Sequence, residues 1–186
     1  MKRQRALLWS LALLLSLPAL AHDGVEHVTA SKSSTQPVAS DLSRDAQAYF
    51  TDTLLLNQHG QEVRFYSDVL AGKVVLLNVV FTQCKDACPL ISRKLQAVRE
   101  QLGEQSERIH FVSLSSDPVN DSPQALSAFM KKQRLDERQW TFLTGDPAAI
   151  ETVLTRLGQF SDSPEGHSTL LIAGDVANKR WSKIRP

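Results

Sequence analysis

The feature that most constrains the fold is a continuous apolar run over residues 73–81, Lys-Val-Val-Leu-Leu-Asn-Val-Val-Phe. Its β-branched residues favour a strand. Apolar residues do not alternate with polar ones along the run, and this pattern is typical of a strand that is buried on both faces. The run therefore predicts the central strand of a sheet.

Strand and helix patterns alternate around this central strand. Residues 53–56 and 62–65 flank the turn signal Asn-Gln-His-Gly and predict a hairpin. Helical spacing of apolar residues predicts further helices, and short β-rich runs predict further strands. The helices are expected at 89–102, 123–135 and 147–157, the strands at 108–114 and 140–143, and a final hairpin at 168–173 and 179–182 over Gly174-Asp175. The alternation predicts an α/β fold with a mixed sheet flanked by helices.

The composition divides the chain into three regions. Residues 1–21 combine basic residues, an apolar run and the ending Ala-Leu-Ala, which predicts a signal peptide cleaved after Ala21. An uncleaved signal would instead anchor the protein in the inner membrane. Residues 22–48 are rich in small and polar residues and are interpreted as a flexible linker. Residues 49–186 are long enough for one domain with its own core.

The predicted location limits the possible functions. Export places the domain in the periplasm, an oxidising compartment where paired cysteines often form disulfides. Cleavage would remove three basic residues and no acidic ones, so the formal charge would change from +1 to −2. A nearly neutral chain without a basic cluster argues against nucleic acid as a partner.

The cysteines of the chain are Cys84 and Cys88, between the central strand and the next predicted helix. A disulfide across so short a loop removes little chain entropy, so redox activity or metal binding is favoured over a structural bridge. Cys88-Pro89 resembles the helix starts Asp121-Ser122-Pro123 and Asp146-Pro147, which places Cys88 at a helix N-terminus. We therefore expect a lowered pKa for the Cys88 thiol, and for Cys84 if it lies just outside the first turn.

Two thiolates suit Cu(I) or Zn(II). Zinc would need four ligands, whereas one added histidine would complete a three-ligand copper site. The candidates are His22, His27, His59, His110 and His167. His59 and His110 are expected at the surface or at a sheet edge, and His167 in a loop before a late strand. Spacing alone does not bring His167 to the cysteines.

The segment around the cysteines resembles a known family. Residues 81–89, Phe-Thr-Gln-Cys-Lys-Asp-Ala-Cys-Pro, are similar to the Cys-x-x-x-Cys-Pro motif of the SCO/SenC family, thioredoxin-like copper chaperones of cytochrome oxidase assembly. Residues 115–123, the Leu-Thr-Gly run at 143–145, the pair His167-Ser168 and residues 56–60 also resemble family segments in order. The resemblance covers about residues 50–185.

This resemblance implies a thioredoxin-like fold and copper, as Cu(I) or Cu(II), held by Cys84, Cys88 and His167. The chain departs from the family pattern in two ways. Lys85 stands where the family usually has proline, and the sequence given stops at Pro186, where the family typically continues into a C-terminal helix. The domain would then lack that helix.

Several functions remain open on the sequence. The first is a metallochaperone that delivers copper to the copper-site subunit of cytochrome c oxidase or to another exported copper protein. The second is a thiol–disulfide oxidoreductase that uses Cys84 and Cys88 as a redox pair, supported by a periplasmic thiol reductant. A peroxidase and a domain with a structural disulfide are weaker alternatives. Asp117 and Asp121 are interpreted as turn and capping residues, with loop organisation near the metal or recognition of a partner as the alternative. The protein is expected to be a monomer.

Overall fold

The structure is a computed structural model that describes residues 45–186. The predicted signal peptide and most of the predicted linker lie outside these residues. The strands are β1 (Leu54–Asn57), β2 (Glu62–Arg64), β3 (Val74–Val80), β4 (Ile109–Ser115), β5 (Trp140–Thr144), β6 (Leu171–Asp175) and β7 (Arg180–Ile184). The longer helices are α1 (Ala87–Leu102), α2 (Pro123–Gln133) and α3 (Pro147–Leu157), and short π- and 3₁₀-helical turns cover Phe65–Leu70, Gly103–Arg108 and Pro164–Gly166.

One mixed sheet organises the described part of the chain, with the strand order β2-β1-β5-β4-β3-β6-β7. Strand β3 lies inside it, parallel to β4 and antiparallel to β6. The hairpin of β1 and β2 extends the sheet beyond β5 through antiparallel pairing. The predicted central strand, mixed sheet and N-terminal hairpin are therefore confirmed.

The two faces of β3 bury different cores. Val75, Leu77 and Val79 pack with the core that includes α3 and the π-helical turn. On the other face, Val80 and Cys88 belong to the core formed with α1 and α2. Alternation of side chains along one strand thus explains why the run from Val74 to Val80 is apolar at every position except Asn78.

The structure differs from the predictions at the two ends of the domain. Residues 45–50 are helical, so the last four residues of the predicted linker lie in a helix. The predicted turn over Gly174-Asp175 was wrong, because both residues belong to β6 and the turn follows them. Gly174 pairs with Trp181, whose ring occupies the space that a Cβ atom would need. Gly174 therefore makes room for the Trp181 ring and does not form a turn.

None of the helices within residues 45–186 is long and apolar enough to cross a membrane.

Candidate metal and thiol site

The cysteine loop lies at the carboxyl end of the central strand. Strand β3 ends at Val80, and the chain passes through Phe81 and Thr82 to Cys84 before α1 begins at Ala87. The Cys84 amide donates to the Phe81 carbonyl at 3.2 Å and closes a tight turn. The carboxyl ends of sheet strands are where α/β folds commonly place ligands, because the loops there are held by a rigid sheet.

Asp121 anchors this loop from the neighbouring strand end. Its Oδ1 accepts from the Thr82 amide at 3.0 Å and from the Thr82 hydroxyl at 2.6 Å. Its Oδ2 accepts from the Ser115 hydroxyl at 2.6 Å. Burial raises the pKa of the Asp121 carboxyl, and these hydrogen bonds oppose that rise. The carboxyl therefore joins the ends of β3 and β4 directly beside the cysteines.

The capping role that the sequence suggested for Asp121 was therefore wrong. Ser122 caps α2, since its hydroxyl accepts from the Ala125 amide at 3.2 Å. The turn predicted at Asp117 is confirmed, because its carbonyl accepts from the amides of Asn120 and Asp121. The alternative interpretation of Asp121 from the sequence, organisation of the loop beside the cysteines, matches the observed contacts.

The two cysteines have different environments. Cys84 is half-buried and lies on the rim, whereas Cys88 is only 1% exposed. Both are free thiols. The Cys88 amide donates to the Cys84 sulfur at 3.2 Å, so the amide of the first helical turn is directed at Cys84. Helix α1 begins two residues before Pro89 and places Cys88 inside the first turn rather than at its cap.

The expected lowering of the Cys88 pKa was consequently wrong. Burial of the thiol, reinforced by the adjacent Cys84 sulfur, raises the pKa of Cys88 from 9.0 to about 12. A buried thiolate is costly because the low-dielectric interior disfavours the charged form more than a nearby helix terminus stabilises it. Sequence reasoning placed the helix start correctly to within two residues but had no means to see the burial.

His167 reaches Cys88 across 79 residues of sequence. Its Nε2 lies 4.0 Å from the Cys88 sulfur, and the ring packs edge-on against Phe81 with centroids 6.0 Å apart. Its Nδ1 lies 3.0 Å from the Ser168 carbonyl oxygen. Because a carbonyl only accepts, Nδ1 carries the proton and Nε2 presents a lone pair toward the sulfur.

A second anchor holds the histidine loop in place. The Ser116 amide donates to the Val80 carbonyl at 2.9 Å, and the Ser116 hydroxyl donates to the Pro164 carbonyl at 3.2 Å. Ser116 thus connects the end of β3 to the turn that precedes His167. Sequence reasoning missed Thr82 and Ser116 as positioning residues, since hydroxyl side chains near strand ends are common in any fold.

The other described histidines do not join the site. His59 is exposed and lies 3.6 Å from the Glu137 carboxylate. His110 lies in the interior strand β4 rather than at an edge, and its ring contacts Gln139 and Thr141. His22 and His27 lie outside the described residues.

A cavity of about 420 Å³ lies between Cys84 and His167, and the buried Cys88 does not line it. Its charged lining consists of Asp86, Glu165 and Lys85, so acidic groups outnumber basic ones. In the part of the chain that the structure describes, no three His, Cys, Asp or Glu side chains are already gathered at metal-site spacing. The paired groups are Cys88 with His167, and Cys84 stands beside them.

Comparison with known proteins identifies relatives of this chain. The sequence profile of the SCO1/SenC family matches residues 42–170. The SCO1 protein homolog of Bacillus subtilis is 34% identical over 117 residues, which cover 62% of this chain and 60% of that protein. The chain thus spans about three fifths of the length of that curated relative.

Two solved structures resemble the fold closely. ScoI of Bradyrhizobium japonicum with copper bound has a TM-score of 0.60 and 26% identity, and the match covers 70% of this chain and 85% of that one. BsSco, a Sco-family cytochrome c oxidase assembly protein with an identified disulfide switch, has a TM-score of 0.59 and 28% identity. That match covers 70% of this chain and 78% of BsSco.

The sheet, its flanking helices and the cysteine loop at the end of β3 define a thioredoxin-like protein, as the sequence predicted. With its profile match over residues 42–170, the chain belongs to the SCO1/SenC family.

Proposed function

We propose that this protein is a copper-binding chaperone, with copper as its cargo and Cys84, Cys88 and His167 as its ligands. It would deliver the metal to the copper-site subunit of cytochrome c oxidase or to another exported copper protein. The observation that carries the proposal is the 4.0 Å approach of His167 Nε2 to the Cys88 sulfur, with Nδ1 held by the Ser168 carbonyl.

The distance suits one shared metal ion. Tetrahedral zinc sites bond sulfur at about 2.3 Å and imidazole nitrogen at about 2.0 Å, and copper is of similar size. Two such bonds span up to about 4.3 Å, so both atoms reach one ion without moving apart. A carbonyl that fixes Nδ1 is the usual way in which a protein orients a metal-binding imidazole.

Cys84 would complete the site from the rim. Its sulfur accepts from the Cys88 amide at 3.2 Å and lies beside the Cys88 thiol. A half-buried ligand is also the one that a partner's thiol can replace first during transfer. Two sulfurs and one imidazole form a soft donor set, which favours Cu(I).

Metal binding would also overcome the raised pKa of Cys88. A metal ion displaces the thiol proton, because the positive ion stabilises the buried thiolate that burial alone disfavours. The acidic rim formed by Asp86 and Glu165 supports the approach of a cation to the cavity.

The test is an anaerobic Cu(I) titration of the fully reduced protein against a competing chelator. The wild type should bind one tight equivalent, and Cys84→Ser, Cys88→Ser and His167→Ala should each lose it. His59→Ala is the matched control, because His59 lies outside the cavity. Tight binding that survives His167→Ala would remove this histidine from the site.

A second candidate function, thiol–disulfide exchange with a partner's copper-ligand cysteines, is favoured by the asymmetry of the pair. Cys84 is accessible and would attack a partner disulfide, while the buried Cys88 would resolve the mixed disulfide. The products are the partner's two thiols and a Cys84–Cys88 disulfide, so two electrons pass to the partner. A periplasmic thiol reductant would then restore the pair.

His167 separates the two functions. His167→Ala should abolish tight Cu(I) binding while the reduction of a disulfide peptide continues at a rate within about threefold of the wild type, because the histidine takes no part in exchange. Loss of both activities would show that the histidine also organises the thiols.

We further propose that residues 1–21 direct export to the periplasm, or anchor the protein in the inner membrane when uncleaved. Residues 22–44 would link that segment to the domain, because the helix over residues 45–50 already packs on the core. These proposals rest on the sequence pattern. N-terminal sequencing of the protein recovered from a bacterial periplasm should give His22 as the first residue if cleavage occurs.

A further inference from the structure

Cys84 borders two cavities that differ in charge. The cavity shared with His167 carries the carboxylates of Asp86 and Glu165 together with the Lys85 ammonium, so carboxylates are in excess there. The second cavity, of about 560 Å³, lies between α1 and α2 and is lined by Lys85, Arg93 and Lys132. None of the residues that line this second cavity in the described chain is acidic. We call it the cationic groove.

The cationic groove has an apolar floor and a hydrogen bond that joins the two helices beside it. Phe129, which is buried, and Pro89 form an apolar floor beside the Cys84 sulfur. The Arg93 guanidinium donates to the Gln133 side chain at 3.0 Å and joins the two helices across the groove. The groove therefore combines an apolar surface, amide side chains and three cations next to the accessible thiol.

We propose that the cationic groove binds a cysteine-containing polypeptide segment with carboxylates on both sides of its cysteine, and so selects the partner that exchanges with Cys84. The inference rests on the proposed function and names the substrate class of that site. Lys85 lines both cavities, but Arg93 and Lys132 line only the groove and the two carboxylates line only the other cavity, so the two sides of Cys84 have different roles. The acidic cavity accepts the copper cation, and the cationic groove accepts the acidic partner.

The separation of the cations around the groove favours a polypeptide over a small thiol. Lys85 follows Cys84 directly, whereas Lys132 lies near the end of α2, so the cations stand on different elements around the thiol. A peptide with acidic residues before and after its cysteine contacts cations on both helices at once. Opposite charges near the surface attract over about one Debye length, roughly 10 Å at 0.1 M salt.

The probe is a set of pentapeptides with a central cysteine, joined through a disulfide to 2-thiopyridine, and with Asp, Asn or Lys at both ends. The Cys84 thiolate attacks the peptide sulfur, a new S–S bond forms, and the bond to the pyridyl sulfur breaks. The electron pair leaves on the pyridine thiolate, which takes a proton and absorbs as the thione. The rate of thione release from the full-length reduced protein measures attack.

The expected result is a rate with the Asp peptide about tenfold above that with the Asn peptide at low salt, and a ratio near one at about 1 M salt. The Lys peptide should be slower than both. Because Lys85 is adjacent to Cys84, a substitution there could change thiol reactivity itself. The ratio between peptides cancels that change, since it affects every peptide equally.

Substitutions of single cations show which of them produce the preference for the Asp peptide. Lys85→Gln, Arg93→Gln and Lys132→Gln should each reduce the Asp-to-Asn ratio by about two- to threefold. Lys94→Gln and Lys131→Gln are the matched controls, because these exposed lysines neighbour Arg93 and Lys132 but do not line the groove. They should leave the ratio unchanged.

The outcomes distinguish the inference from the function on which it rests. A ratio near one at low salt, with copper binding and exchange both intact, overturns the cationic groove as a partner site. If Lys94→Gln and Lys131→Gln lower the Asp-to-Asn ratio as much as the groove variants do, the preference depends only on the net charge of the protein. That result would also overturn the groove as a partner site. A pyridyl disulfide of glutathione that reacts as fast as the Asp peptide would overturn the assignment to a polypeptide. A wild-type protein that neither binds Cu(I) tightly nor exchanges with any of the peptides would instead refute the proposed function.

Discussion

Helix α1 and helices α2 and α3 begin in ways that look alike in sequence and differ in structure. Asp146 caps α3 by accepting from the amides of Ala148 and Ala149, and Ser122 caps α2. At α1, Asp86 occupies the cap position but its side chain makes no capping hydrogen bond. The Cys84 sulfur accepts an amide of the first turn instead.

The comparison shows how the fold separates stability from chemistry. Side-chain oxygens accept hydrogen bonds from the first amides of helices α2 and α3. These caps stabilise the helices and provide no thiol for metal binding or disulfide exchange. At α1 the acceptor is the Cys84 sulfur, which under the proposed function would exchange the amide for a metal ion or a partner. The loop before α1 is held from outside by Asp121 rather than by a cap of its own.

The largest effect is expected for Asp121→Ala, which would free the loop before α1. The buried Ser115 hydroxyl and the half-buried amide and hydroxyl of Thr82 would lose their acceptor, and unsatisfied buried donors cost about 1–3 kcal/mol each. We expect a loss of about 3 kcal/mol in the free energy of unfolding, measured by urea denaturation of the reduced protein.

Asp117→Ala is the control for that variant. The Asp117 carboxylate accepts only from the exposed Asn120 side chain, so its loss should cost less than about 1 kcal/mol. Equal losses in the two variants would show that Asp121 does not anchor the loop more strongly than an ordinary turn residue does.

The raised pKa of Cys88 predicts a pH dependence that a capping thiol would not show. A folded-state pKa of about 12, above the ordinary 9.0, means that the stability linked to the protonated thiol is complete below pH 9 and is lost as the pH rises toward 12. Between about pH 8 and 10.5, the reduced wild type should lose roughly 2 kcal/mol more than Cys88→Ala.

Paired urea titrations of the two proteins at each pH measure this difference. Other groups that titrate in the same range are present in both proteins, so their contributions cancel. Parallel pH curves for the wild type and Cys88→Ala would mean that the Cys88 thiol is as accessible in the folded protein as in the unfolded chain.

The smallest effects come from the helix caps themselves. Asp146→Ala should cost about 1 kcal/mol, because two amides at the start of α3 lose their acceptor. Asp86→Ala should change the free energy of unfolding by less than about 0.5 kcal/mol, since its carboxylate caps nothing. Asp146→Ala should also retain Cu(I) binding, because Asp146 lies outside the cavity, and thermal denaturation of the apo proteins measures the stability of both variants. A larger loss for Asp86→Ala than for Asp146→Ala would reverse the comparison of the two helix starts.

Local patterns predicted the elements of this fold well, for reasons that particular residues show. The run over residues 73–81 is apolar on both faces, and only an interior strand buries both. Ser122-Pro123 and Asp146-Pro147 predicted helix starts because a capping oxygen and a fixed proline φ act within three residues. Gly174 was misread because its role is to make room for Trp181, which pairs with it from another strand.

By itself, the sequence determined the order of strands and helices, the placement of Cys84 and Cys88 between the central strand and α1, and the resemblance that named His167. The tertiary structure alone decided that His167 faces the Cys88 sulfur, that Asp121 joins two strand ends, and that Cys84 stands between an acidic and a cationic cavity. The physical reason is the distance along the sequence over which each interaction acts. Propensity and capping act over a few neighbouring residues, whereas burial, pKa and ligand geometry depend on groups that only the folded sheet brings together.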